Sequence, residues 1–157
     1  MIILAIDPGT VQSAWLVWTG SSVANHAIEP NVELIARLRQ RRGAIGWADC
    51  AVIEQIASYG MPVGAEVFET VRWSGRFEEA LYPVPVHQLP RRAVKLHLCG
   101  SARAKDANVR QALLDKFGGR AAIGRKAAPG PLYGIKSDLW AAFGVAVTFA
   151  ETLDTMA

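Results

Sequence analysis

The chain has 157 residues, 51% hydrophobic and 20% charged, which suffices for the core of one domain and scarcely for two. With only eight prolines and a formal net charge of +3 it is not a disordered chain. No apolar run reaches the roughly 18–20 residues of a spanning helix, so a helical membrane protein is excluded.

Ile2–Asp7 is a short apolar run halted by Pro8-Gly9, the pattern of a buried strand ending in a turn. The same stretch lacks a basic region and a small-residue cleavage site, so it reads as part of the fold and not as a leader. Ser13–Thr19 and Ser22–Ile28 flank Gly20-Ser21 as the strands of a hairpin. Asn31 is expected to cap a helix with Leu34, Ile35 and Leu38 on its apolar face, ending at Gly43. Ala51–Ile56 is a second strongly apolar strand, with Glu54 and Gln55 embedded in it, and Ser58–Pro62 is a loop. A helix is predicted over Val63–Leu81, anchored by Val67, Val71, Phe77 and Leu81. Some of its aromatics (Phe68, Trp73, Phe77) exceed what one core face needs and suit a twofold self-interface. Pro83–Leu89 reads as a strand near a sheet edge, because Pro cannot donate to a ladder. Arg91–Leu98 and Ala107–Phe117 are expected helices, the second capped by Asp106. Gly118–Gly134, rich in Gly, Pro, Lys and Arg, is expected to be a mobile loop. Asp138–Leu153 is the most apolar helix, with Ser137 or Asp138 at its start.

Strands followed by alternating helices and strands predict an α/β fold, a mixed sheet with helices on its faces, in one domain over residues 1–157. Trp15, Trp18, Trp47 and Trp140 are expected in the core, and His26, His87 and His97 have no metal-ligand spacing. Cys50 and Cys99 sit in apolar stretches and read as free thiols of a reducing, cytoplasmic compartment.

The modest net charge conceals a division. Residues 1–90 carry a net −3, residues 91–126 a net +8 and residues 127–157 a net −2. A basic block of this kind is the footprint of a polyanion, because neutralised phosphates release condensed counterions. Arg91, Arg92 and Lys95 fall within about one helical turn, Arg103 and Lys105 on a Gly-Ser loop, and Lys126 and Lys136 on either side of the loop before the last helix. All are expected on the phosphates of such a polyanion, where contacts position without reading sequence.

Against this stand three isolated acids. Asp7 ends one apolar strand, Glu54 lies within another, and Asp138 opens the most apolar helix. A carboxylate in such a place is expensive unless it is paired, hydrogen-bonded or bound to a cation. Taken singly, Asp7 could serve the Pro-Gly turn, Glu54 could pair with an arginine, and Asp138 could be a cap. Taken together, they suggest convergence on a divalent cation, for which Mg²⁺ suits oxygen ligands.

Ile6-Asp7-Pro8-Gly9-Thr10, Val52-Ile53-Glu54-Gln55 and Lys136-Ser137-Asp138-Leu139-Trp140 ahead of Ala141–Val147 resemble the RuvC family of Holliday-junction resolvases, in order and in spacing. The short length and the Trp in the last motif look more like phage-encoded members. The resemblance implies an RNase H-like five-stranded mixed sheet and a homodimer, in a bacterial or phage-infected cell, that cuts two strands symmetrically across a four-way DNA junction with Mg²⁺ or Mn²⁺. It implies Asp7, Glu54 and Asp138 as catalytic metal ligands. It also places Lys105, in the basic loop Gly100–Lys105, as the lysine that approaches the scissile phosphate. The sequence departs from the family at Ala141, where a second acid is usual three residues into the last helix, and relatives carry His in place of Asp138. Asp106 is a candidate for the missing oxygen as well as a candidate cap. Ala57 stands where the family tends to have an aromatic wedge, which leaves Tyr59 as the nearest ring able to stack on an unpaired base. An RNase H-like nuclease for flaps or other branched DNA, and a junction-binding protein with weak or no cleavage, are the competing readings. An actin-like ATPase shares the Asp-Pro-Gly-Thr motif but needs two such domains, which this length cannot supply.

Overall fold

In the computed structural model, which describes residues 1–156, the chain opens with strands β1 (Ile3–Asp7), β2 (Gln12–Trp18) and β3 (Val23–Pro30). Helix α1 (Asn31–Gln40), a 3-10 turn over Gly43–Trp47 and strand β4 (Cys50–Gln55) follow. Helix α2 (Ala65–Leu81) leads to β5 (Val86–Pro90), which passes directly into α3 (Arg91–Cys99). Then come α4 (Asp106–Lys116), α5 (Arg120–Ile123), the two-residue strands β6 (Gly124–Arg125) and β7 (Ala128–Pro129), and α6 (Leu139–Met156). Among the described residues no helix is long and apolar enough to cross a membrane.

The five main strands form one sheet in the order β3-β2-β1-β4-β5. The pairs β1–β2 and β2–β3 are antiparallel, while β1–β4 and β4–β5 are parallel. Strand alternation sorts the interior into two cores. Leu4, Ile6, Trp15, Val17, Ala51 and Ile53 pack against Leu34, Leu38, Trp73 and Phe77 of α1 and α2. Ile3, Ala5, Ala14, Leu16, Cys50 and Val52 face Val94, Leu113 and the buried side of α6, from Ala142 to Phe149. The expected mixed sheet, and the edge position of β5, are both present.

Four local expectations are corrected. Asn31 is the first residue of α1 and not its cap, which is Pro30; the buried Asn31 side chain turns to the loop after β1 instead. The stretch 118–134 contains α5 and the β6–β7 ribbon, with Ala122 and Leu132 buried beneath them. A Cβ on Gly130 would lie 2.1 Å from the Ala122 carbonyl oxygen, so this segment closes on itself through glycine and is not a loose loop. Trp47 is 62% exposed on the 3-10 turn, whereas Trp15, Trp18 and Trp140 are buried. In α2 the anchors are Trp73, Phe77 and Leu81, while Phe68 and Val71 face outward.

Candidate active site

The alternation that builds the second core also places two acids. Ile3 and Ala5 face α6, so Asp7 does as well; Cys50 and Val52 face α6, so Glu54 does too. Register brings the acids side by side, since Ile6 pairs with Ile53 in the parallel ladder and Asp7 and Glu54 are the next positions on each strand. The turn after Asp7 is held firmly. The Gly9 N–H donates to Ser13 Oγ (3.0 Å), the Ser13 hydroxyl donates to Asn31 Oδ1 (2.6 Å), and Asn31 Nδ2 donates to the Gly9 carbonyl (2.9 Å). A Cβ on Gly9 would stand 2.3 Å from the Gln12 carbonyl oxygen, so this turn requires glycine.

Helix α6 begins over the same edge. The Asp138 carbonyl accepts the Ala142 N–H (3.1 Å), which makes Asp138 the residue at the helix start, and Ser137 before it has φ +49°. Asp7, Glu54 and Asp138 thus line one cleft of about 110 Å³ at the C-terminal ends of the parallel strands, together with Arg91, Lys95, Asp106 and Ala141. This edge is where open α/β sheets commonly place ligands.

The cleft is electrostatically strained. Burial, and then the charges of Glu54 and Asp138, push the Asp7 carboxyl up to about 8. Burial also raises Glu54, partly offset by Arg91. Arg91 Nη1 donates to both Glu54 oxygens at 3.1 Å, and its Nη2 pairs with Asp106 Oδ1 at 2.5 Å. Lys95, one turn further along α3, lies 3.7 Å from the same Asp106 oxygen. The hydrogen bond from Arg91 holds the Asp106 carboxyl below its usual range. Among the described residues no three acidic, imidazole or thiol groups are gathered into a ready-formed metal cluster.

Asp7, Glu54 and Asp138 are therefore brought together. Asp106 joins them, and its expected role is corrected: Lys105 occupies the N-cap of α4 and Asp106 is its first helical residue, aimed at the cleft. Arg91 too differs from a plain phosphate contact, being paired inside the cleft. The spacing of Arg91 and Lys95 was a usable signal, because residues four apart share one helical face.

The other basic residues border this cleft or lie near it in the chain. Tyr59, Arg92 and Arg103 line an adjoining groove of about 370 Å³, whose wall Arg91 and Lys95 share with the cleft. Tyr59 is 57% exposed at φ +51°, its ring on the groove. Lys105 is exposed one residue before Asp106, Lys136 is exposed two residues before Asp138, and Lys126 is exposed at the turn of the β6–β7 ribbon.

A five-stranded sheet in this order, with helices on both faces, is the RNase H-like fold. Solved structures share it. Thermus thermophilus RuvC is similar over 99% of this chain and 96% of its own, with a TM-score of 0.66 and 22% identity. The same organism's RuvC in complex with Holliday junction substrate is similar over 98% and 94%, with a TM-score of 0.67 and 22% identity. The fowlpox virus Holliday junction resolvase is similar over 97% and 99%, with a TM-score of 0.51 and 13% identity. No family model and no curated protein sequence matches the chain.

Proposed function

We propose that this chain is a divalent-metal-dependent endonuclease that resolves four-way DNA junctions, one nuclease domain acting as half of a homodimer. One observation carries the reading: three carboxylates from separate elements line a single cleft that opens beside a basic groove bearing an exposed aromatic ring. The likeness to a RuvC in complex with Holliday junction substrate supports the choice of DNA.

The cleft suits a hard cation. Its donors are carboxylate oxygens, and the repulsion that raises Asp7 is what a divalent ion relieves. Asp7, Glu54 and Asp138 would hold Mg²⁺ or Mn²⁺, which when bound lowers the pKa of water and neutralises charge on the scissile phosphate. Hydrolysis adds water across one P–O bond, leaving a 5′-phosphate and a 3′-hydroxyl. Arg92, Arg103, Lys126 and Lys136 contribute phosphate contacts that set the position of the strand, and Lys105 contributes positive charge where it develops on the phosphate. Tyr59 offers a stacking face to an unpaired base at a branch point. Cutting two strands symmetrically needs a second copy, and the outward Phe68 and Val71 of α2 offer an apolar surface for it.

The test is cleavage of a four-way junction, a flap and a linear duplex in Mg²⁺ and in Mn²⁺. Paired symmetric nicks in the junction alone are expected. Equal cutting of all three substrates overturns the junction reading. Tight junction binding without nicking in either metal leaves a junction-binding protein, the reading that Ala141 favours.

A further inference from the structure

We infer that Arg91 is a resident second cation of this site, a positioning residue whose charge leaves the cleft suited to one divalent ion and not two. The inference rests on the nuclease reading above. It answers the question posed by Ala141, which lines the cleft where a fourth acid on α6 would complete a two-ion site.

A bridging ion in a carboxylate site ties oxygens from different elements around one positive centre. Arg91 does this already: its guanidinium spans Glu54 of β4, at 3.1 Å to each oxygen, and Asp106 of α4. Its backbone is anchored for the task, because it is the first residue of α3 immediately after Pro90, itself paired with Gln55 beside Glu54. A guanidinium presents a rigid fork of donors and does not lose its proton in proteins, so it is a fixed charge and not an exchangeable one.

Charge gives the same answer. Four carboxylates line the cleft (Asp7, Glu54, Asp106 and Asp138) and two cations face them (Arg91 and Lys95). With all four carboxylates ionised, as a bound cation would require, the remainder is two negative charges, which one divalent ion balances. A second ion would turn that balance into an excess of two positive charges, with no oxygen at position 141 to receive it. Asp106 then has a purpose other than capping: it holds the far side of the guanidinium, so that Arg91 stays on Glu54 when the groove fills with DNA. The Arg91 side chain also borders the basic groove, so it joins the acidic cleft to the path proposed for the phosphates.

Counting bound Mn²⁺ tests this on the intact protein, by titration with electron paramagnetic resonance of the free ion and by calorimetry. One ion per chain is expected in the wild type. The double variant Arg91→Gln with Ala141→Asp, which removes the resident charge and supplies the oxygen, is expected to bind two ions and to show an exchange-coupled Mn²⁺ spectrum. Arg91→Lys keeps the charge and is expected to remain at one. Two ions per wild-type chain, with cleavage intact, overturn the inference and spare the nuclease reading. No bound ion and no metal-supported cleavage overturn both.

Discussion

Among the described residues two glutamates are buried, one on each face of the sheet, and each meets one arginine. On the α1 face Glu29 is 8% exposed and accepts three hydrogen bonds. Its Oε1 accepts from Arg37 Nε and from the Trp15 indole, both at 2.8 Å, and its Oε2 accepts from Arg37 Nη2 at 2.9 Å. On the α6 face Glu54 is 5% exposed, yet it receives a single Nη1 shared between its two oxygens, from an arginine that also serves Asp106. The acid beside it in register is Asp7. A buried carboxylate with three of its four lone pairs engaged is held as part of the fold, whereas one left short of donors beside a second acid has, on the proposed reading, room for another cation. The difference lies in neighbours and geometry, for the residue types are the same.

Exchanging the two glutamates' chemistry breaks the comparison most sharply. Glu54→Gln and Asp7→Asn are each expected to lower junction cleavage about 1,000-fold or more, a loss of about 4 kcal/mol of transition-state stabilisation, while junction binding persists. Unchanged cleavage in either variant, measured on a four-way junction under single-turnover conditions, would remove the metal-site argument. On the other face Glu29→Ala leaves the buried Trp15 N–H without an acceptor and Arg37 unpaired. Because Arg37 is 37% exposed, water recovers part of that loss, and about 2 kcal/mol of destabilisation is expected. Chemical denaturation reads it directly. The cleavage rate per folded molecule should not change, and a large fall would mean that Glu29 is more than structural.

How legible this contrast was in the sequence depends on the range of the interactions involved. Strand alternation is local, with a period of two, so Asp7 and Glu54 stand out as acids in apolar runs from the residue order alone. Asp138 is legible for the same reason, as a charge opening an apolar helix. Glu29 attracts no notice, because VANHAIEP is a mixed and half-exposed strand whose partners come from β2 and α1. Asp106 and Arg91 are harder still. Their pairing depends on how α3 and α4 pack, and an acid at a helix start reads as a cap unless the turn before it is known. Trp47 shows the opposite error: a large apolar residue invites a core assignment, but a 3-10 turn places it outside. Gly118–Gly134 misleads by composition, since its glycines permit close packing as readily as they permit freedom.

The smallest effect refines the comparison, because it concerns the strain itself in protein stripped of metal. Asp7 is pushed from 3.8 to about 8 by burial first, and then by Glu54 and Asp138. Below about pH 4 the folded and unfolded states both bind this proton, and the group costs nothing. As the pH rises from there, the unfolded chain releases the proton while the folded state retains it, so stability falls until the pH passes about 8. In chelator, wild type should therefore lose melting temperature between pH 5 and 8 relative to Asp7→Asn, by at least a few degrees for a chain of this length. Taking the difference removes contributions common to both proteins, such as His26, which burial lowers and which acts in the opposite direction below neutral pH. Adding Mn²⁺ should close the gap between wild type and Asp7→Asn by stabilising wild type alone. Parallel melting curves for the two proteins across this range would mean that Asp7 carries no strain, and the two faces of the sheet would then differ less than their hydrogen bonds suggest.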